Sequence, residues 1–267
     1  MKPIIEMENV HFSYTPGCDL VKDLTFAVEV GVFLGVVGPN GSGKTTLLRL
    51  LTGLLRPQRG LVRIDGRPVD SYPPVALAAK VAVVSQDPVV PTGFSVAETV
   101  LMARIARLGQ RMFAGQKDLD VVNQCLGMTD TNHLASWPLS RLSGGERQRV
   151  FIARALAQET DIILLDEPTT FLDLRHQVEA YDLLRQVQIE RHKTVVAVTH
   201  DINLASRYCD QVLILTGRSA AGGEGFLFGR PQAVLTQERI EQVFCVQVAT
   251  GLVGGHTVFV PRGRYRL

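Results

Sequence analysis

The segment Val32-Phe-Leu-Gly-Val-Val37-Gly38-Pro39-Asn40-Gly41-Ser42-Gly43-Lys44-Thr45-Thr46 decides the fold. A short apolar run enters a glycine-rich turn, and Leu47, Leu48, Leu51, Leu54 and Leu55 then recur at helical spacing, predicting a helix over Thr45 to Leu55. Strand, glycine turn, helix is the setting of a phosphate-binding loop, and Gly38 to Thr45 matches Gly-x4-Gly-Lys-Ser/Thr. Polyphosphate is densely anionic, so its site needs many donors close to the chain. Gly38, Gly41 and Gly43 let the backbone wrap tightly with its N–H groups inward, and the helix start adds a positive dipole end. Lys44 is expected to reach the β- and γ-phosphates, and the Thr45 hydroxyl to bind Mg²⁺. The plain alternative, a glycine turn with a surface lysine, does not explain a full match set between an apolar strand and an apolar helix.

Upstream and just downstream, from about Ile4 to Ile64, apolar and polar residues alternate between turn signals such as Pro16-Gly17 and Asp65-Gly66, as short antiparallel strands do. From Ser95 to Leu134 the period changes: Val96, Val100, Leu101, Ile105 and Leu108 follow helical spacing, and Asp118 to Met128 reads as a second helix. After Ser143 strand and helix alternate, which implies a parallel sheet with crossovers. Gly217 to Gly229 reads as a hairpin or surface loop, and the tail holds an amphipathic helix, Thr236 to Phe244, and two short β stretches. The 267 residues, 46% hydrophobic and 20% charged, suffice for a packed core. A net charge of +2 does not favour a nucleic-acid surface, and no partner of that kind is expected. No apolar run reaches membrane-span length, and acids interrupt the N-terminal stretch where a secretory signal would be apolar, so a cytoplasmic location is expected. Cys18, Cys125, Cys209 and Cys245 show no Cys-x-x-Cys pair, and reduced thiols are the default.

Two further stretches carry chemistry. Ile162-Ile-Leu-Leu-Asp166-Glu167-Pro168 ends a buried strand with two acids, at the edge where α/β sheets bind ligands. Asp166 suits Mg²⁺, and Glu167, on the opposite side if strand alternation continues, suits a general base for water. Taken alone, an exposed Asp-Glu turn is as good a reading. Leu142-Ser143-Gly144-Gly145-Glu146-Arg147-Gln148 precedes a helix, and Ser143 and Glu146 are spaced as a capping box. Gly144 and Gly145 weaken that first turn and expose its N–H groups, so the cap also makes an anion receptor.

With these stretches in order, the chain resembles the nucleotide-binding subunits of ATP-binding cassette (ABC) transporters over nearly its whole length. The resemblance implies an α/β fold: a P-loop NTPase (RecA-like) core with an antiparallel β subdomain and an inserted α-helical signature subdomain at about 90–158. The cassette is expected over 1–250, with a short β tail at 251–267. It further implies that Tyr14 stacks on adenine, Phe12 being the competing choice and more suited to the core. Gly38 to Thr45 with Thr46 would be the Walker A loop, Gln86 the Q-loop residue sensing Mg²⁺, and Ile162 to Glu167 the Walker B strand with its catalytic glutamate. Asp173 would be the D-loop acid and His200 the switch histidine. In that family two subunits face head to tail, so ATP lies between the Walker A loop of one and Leu142, Ser143, Gly144, Gly145 and Gln148 of the other.

The phrases Glu167-Pro-Thr-Thr-Phe-Leu-Asp173 with His176-Gln177, Thr199-His-Asp-Ile-Asn-Leu-Ala205 and Gly229-Arg-Pro-Gln-Ala-Val-Leu235 resemble the importers of iron–siderophore, haem and cobalamin complexes. Expected partners are therefore a second copy of the chain, an integral membrane permease that holds it at the inner face of the membrane, and indirectly a substrate-binding protein. An exporter ATPase or a non-transport ABC ATPase is the competing class. No sustained heptads of the DNA-repair members and no second Walker A loop of the ribosome-associated members occur.

Overall fold

A computed structural model describes residues 2–86, 93–108, 113–170, 172–217 and 225–263. The chain divides into two compact units, Met1–Ser71 with Val196–Leu267, and Tyr72–Val195.

In the first unit, β1 (Pro3–Phe12), β2 (Val21–Glu29), β4 (Arg59–Ile64) and β5 (Arg67–Pro68) form an antiparallel sheet in the order β2-β1-β4-β5. The alternation read from the sequence is physical: Val21, Leu24, Phe26 and Val28 face inward along β2 while their neighbours face out. Asp65-Gly66 closes the β4–β5 hairpin with both residues in the left-handed region, the two-residue turn whose twist matches paired strands.

The unit's other sheet has β3 (Phe33–Val37) parallel to β9 (Gln211–Leu215), with β10 (Phe226–Gly229) antiparallel to β9. β8 (Thr194–Val198) runs on beside β3, where Thr199 donates its N–H to the Val36 carbonyl at 3.0 Å. β10 falls within the stretch from Gly217 to Gly229 expected as a hairpin or surface loop, its partner β9 precedes that stretch, and residues 218–224 lie outside the described ones. Every residue of β3 is buried, as expected of a strand covered on both faces. α1 (Lys44–Leu51) follows β3; it is shorter than the expected Thr45–Leu55 because Gly53 turns into the left-handed region just beyond its cap. α8 (Ile202–Tyr208), α9 (Pro231–Val234) and α10 (Gln237–Phe244) complete the helices, Thr236 capping α10.

The tail is a hairpin of β11 (Val248–Val253) and β12 (His256–Pro261), so the expected boundary after residue 250 falls inside its first strand. The hairpin docks on α8: Ser206 Oγ donates to the Thr257 carbonyl at 2.9 Å, and the Asn203 carboxamide both accepts from Phe259 N–H at 2.8 Å and donates to its carbonyl at 3.3 Å.

In the second unit β6 (Val81–Val84) lies parallel to β7 (Ile162–Asp166), with α2 (Pro74–Ala78) before β6. Between the strands come α3 (Val96–Leu101), α4 (Ile105–Leu108), α5 (Gln116–Met128) and α6 (Gly144–Ala157), and after β7 comes α7 (Leu174–Arg191). α3, α5 and α6 pack on one another through Val96, Val100, Val122, Cys125, Leu126 and Val150, all buried. Inside this helical insertion Arg104 is buried and paired: it donates to Asp118 at 3.0 Å, to the Ala157 carbonyl at 2.7 Å and to Glu159 at 2.6 Å. Among the described residues no helix is long and apolar enough to cross a membrane.

Candidate functional site

The loop after β3 has the backbone its glycines require. Gly38, Gly41 and Gly43 all take positive φ. A Cβ on Gly38 would lie 2.3 Å from the Leu215 carbonyl oxygen and 2.7 Å from Ser42 Oγ, so no side chain fits there. Gly43 stands as the left-handed residue from which α1 starts, which leaves the first N–H groups of the helix facing the loop. Lys44 is buried and folds back over the loop, donating from Nζ to the carbonyls of Gly38 at 2.9 Å and Pro39 at 3.0 Å. Ser42 Oγ is buried and finds no hydrogen-bond partner among the described residues. A buried hydroxyl and a folded-back ammonium beside the N-terminus of α1 fit a polyphosphate.

Tyr14 is exposed, but its hydroxyl is held 3.2 Å from Thr46 Oγ1 and 3.3 Å from the Arg49 guanidinium, while its ring meets Phe12 edge to face. Phe12 is buried, as expected of the core member of the pair. Thr46 is thus spent on the aromatic residue, whereas the Thr45 and Asn40 side chains are exposed. His200 is exposed just past β8, where Asp201 caps α8 by accepting from the N–H groups of Asn203 and Leu204.

In the second unit the parallel register pairs Val84 with Leu165, so Gln86 and Glu167 stand two residues further along each strand. Gln86 Nε2 donates to Glu167 Oε2 at 2.8 Å, and Thr170 Oγ1 donates to the same oxygen at 3.0 Å. Asp166 ends β7 and is buried. Glu167 does not continue the strand: its φ is 51°, a left-handed backbone that ends the alternation and re-aims its carboxylate. The side it faces is therefore set by this turn and not by the pleat.

Ser143 is the cap of α6, with both halves of the capping box formed: its hydroxyl accepts from the Glu146 N–H, and Glu146 accepts from the Ser143 N–H at 2.8 Å and hydroxyl at 2.6 Å. Those bonds from Ser143 hold the Glu146 carboxyl below the usual range. Ser143 and Gly144 are exposed, Gly145 and Gln148 half-buried, and Leu142 is buried as an anchor. Asp173 caps α7, accepting from the His176 N–H at 2.9 Å, and that bond is the largest cause of its lowered pKa.

The donors expected at Mg²⁺, Thr45, Gln86 and Asp166, are all oxygen ligands, the set a small hard cation takes. Gln86 uses its nitrogen on Glu167, which keeps its carboxamide oxygen for another partner. Among the described residues no cluster of three or more His, Cys, Asp or Glu side chains would cage a metal, as suits an ion that completes its shell with water and substrate phosphates. Sequence reading did not single out Thr170 or Arg49, whose contacts are long-range or need the turn geometry, and it gave His176 no role of its own.

The ABC transporter family model matches residues 21–170. The ferric enterobactin transport ATP-binding protein of Escherichia coli is 36% identical over 249 residues, 92% of this chain and 89% of the relative. The hemin import ATP-binding protein of Rhodopseudomonas palustris is 39% identical over 255 residues, 92% of this chain and 90% of the relative. Among solved structures, an inward-facing transporter described as of the metal-chelate type superposes with a TM-score of 0.84 at 32% identity, covering 99% of both chains. A dimeric ATP-binding cassette bound to ADP and phosphate superposes with a TM-score of 0.70 at 31% identity, covering 79% of this chain and 93% of the other. The loop of Gly38 to Thr45, the capped Leu142–Gln148 segment and these likenesses together place the chain in the ABC transporter family, as one of its ATP-binding, ATP-hydrolysing subunits.

Proposed function

We propose that this chain hydrolyses ATP to drive uptake of a metal chelate of the iron–siderophore, haem or cobalamin type through a membrane permease. The observation that carries the ATPase chemistry is the Gln86–Glu167 bond beside Thr170, which holds a candidate base in one orientation. The chelate class is supported by the names of the relatives and by the metal-chelate transporter that the fold matches end to end.

Tyr14 stacks on the base of ATP, Gly38 to Thr46 wrap its phosphates, and Lys44 leaves the Gly38 and Pro39 carbonyls to neutralise them. Thr45, Gln86 and Asp166 would hold Mg²⁺, which when bound would supply positive charge for phosphoryl transfer. Glu167 accepts the proton of the attacking water, and His200 donates to the γ-phosphate. A second copy contributes Leu142, Ser143, Gly144, Gly145 and Gln148 in trans, with Asp173 at the same contact. Head-to-tail pairing gives a reason for one chain to carry two phosphate-binding helix starts, at Lys44 and at Gly144. ATP selects the paired state and hydrolysis releases it, and the permease turns that change into transport at the inner face of the membrane, fed by a substrate-binding protein.

The test is to tag the Glu167→Gln variant, load it with ATP in solubilised membranes of its host, and identify what copurifies. A polytopic permease with a substrate-binding protein supports the reading. Recovery of the dimer with soluble partners alone would move the chain to a non-transport ATPase.

A further inference from the structure

The last pair in the register between β1 and β4 is His11 with Arg59. Two residues further along each chain, antiparallel pairing would set Ser13 against Pro57, and proline has no N–H to give to a ladder. The strands stop accordingly, β1 at Phe12 and β4 at Arg59. Gln58 supplies the missing rung with its side chain. Its main-chain N–H donates to the His11 carbonyl at 2.9 Å, which anchors it beside the last pair. Its carboxamide then meets the main chain of Ser13 as a strand would: Oε1 accepts the Ser13 N–H at 2.9 Å, and Nε2 donates to the Ser13 carbonyl at 2.9 Å. The Ser13 hydroxyl closes the pair, donating to Oε1 at 3.2 Å and accepting from Nε2 at 3.0 Å. Ser13 is buried, where a main-chain group left without a partner is costly.

The grip bears on Tyr14, the next residue. The Ser13 carbonyl belongs to the rigid peptide plane that joins Ser13 to Tyr14, so the bond from Nε2 fixes the plane from which the Tyr14 Cα departs. Tyr14 itself lies past the end of β1 and opens an exposed stretch through Asp19, in which the Cys18 N–H donates to the Thr15 carbonyl at 3.1 Å. At the far end of the side chain, the Tyr14 hydroxyl rests on Thr46 and Arg49, neighbours one turn apart on α1, and the ring meets Phe12 edge to face. Held at its main chain through Gln58 and at its hydroxyl by α1, the ring has a fixed place beside the helix that follows the phosphate loop.

We propose that Gln58 is a positioning residue for Tyr14: its carboxamide carries the β1–β4 ladder past Pro57, fixes the Ser13–Tyr14 peptide, and so sets the affinity of the site for the base of ATP. The inference rests on the reading of Tyr14 as the residue that stacks on that base. Its physical content is preorganisation, because a platform already in place loses less entropy when the base settles on it.

The experiment compares the binding of ATP and of tripolyphosphate to the full chain by calorimetry, in EDTA so that neither is hydrolysed. Both ligands carry the phosphates, and ATP alone carries a base. Gln58→Ala is expected to weaken ATP about fivefold, the scale of one net hydrogen bond, and to leave tripolyphosphate unchanged. Gln58→Met keeps the length of the side chain without a strong donor or acceptor, and is expected to match alanine. Ser13→Ala keeps both main-chain bonds and loses the hydroxyl arm alone, so its loss is expected to be smaller. In a Tyr14→Ala chain, weakened for ATP already, Gln58→Ala is expected to add no further loss. Unmoved ATP affinity in alanine and methionine variants that melt as folded chains overturns the proposal. So does an equal loss for tripolyphosphate, or the same loss on top of Tyr14→Ala, either of which makes Gln58 a general support of the fold. A Tyr14→Ala chain that binds ATP as tightly as the parent would instead sink the adenine reading itself, and the role of Gln58 with it.

Discussion

Gln86 and Glu167, from the ends of two parallel strands, share a 2.8 Å hydrogen bond in which the amide nitrogen donates and the carboxylate accepts. The bond fixes a side chain whose own backbone sits in the left-handed region. Glu167→Gln removes the proton acceptor while keeping the shape. The steady-state ATPase rate, read by phosphate release, is expected to fall by about 10²–10⁴-fold with ATP binding retained. Gln86→Ala, which removes one of the bonds that orient the carboxylate, is expected to lower the rate as well, and by less. A rate unaffected by Glu167→Gln would take the base role from this residue.

Lys44 spends its ammonium on two loop carbonyls, Gly38 and Pro39. Lys44→Ala is expected to cut turnover by about 10²–10³-fold, as loss of a preorganised charge at a phosphoryl centre does. The same variant also takes the ammonium from both carbonyls, of which Pro39 keeps the Ser42 N–H at 3.2 Å. A malachite-green assay showing wild-type turnover would contradict the role.

Ser143 carries two separable duties, and substitutions tell them apart. Ser143→Ala loses the cap and is expected to cost about 1 kcal/mol in a denaturant melt. Ser143→Arg sets bulk and charge on the exposed helix start, and is expected to abolish hydrolysis while calorimetry on the monomer shows ATP binding nearly intact. Loss of monomer binding would argue against an action in trans.

Cys125 is buried between α5 and its neighbours, and burial pushes its thiol up from 9.0 to about 11. The folded state therefore favours the neutral thiol, a contribution fully present below pH 9 and lost as the pH rises through about 11. A rise of that size corresponds to roughly 2–3 kcal/mol. Alkylation at neutral pH is expected to reach exposed Cys245 and spare Cys125 until the chain unfolds. Cys125→Ala should flatten the alkaline fall in stability, which urea melts at stepped pH would measure.

Much of this architecture is legible because it is built from neighbours in sequence. Gly38 to Thr45 is a local instruction, and so are the Asp65-Gly66 turn and the Ser143–Glu146 box, each formed by residues close along the chain. The expected end of α1, Leu55, overshoots the observed Leu51 because Leu54 and Leu55 continue the apolar period that Gly53 physically breaks. What sequence could not carry is geometry made by distant segments or by an unusual backbone. The bond from Gln86 to Glu167 depends on the β6–β7 register, and the turn at Glu167 overrides the alternation that would otherwise aim it. The placement of His176 opposite Gly145 brings together residues from two helices separated by a strand.

The docking of the terminal hairpin on α8 changes what the end of the chain is for. The Asn203 carboxamide meets Phe259 with one donor and one acceptor, as the main chain of an adjoining strand would, and so blunts an otherwise open edge of β12. α8 begins two residues after His200. β12 thus acts as a splint on the helix that trails the switch histidine. Cutting the chain at 250 would leave that helix unbraced, with Asn203 and Ser206 reaching for partners that had gone.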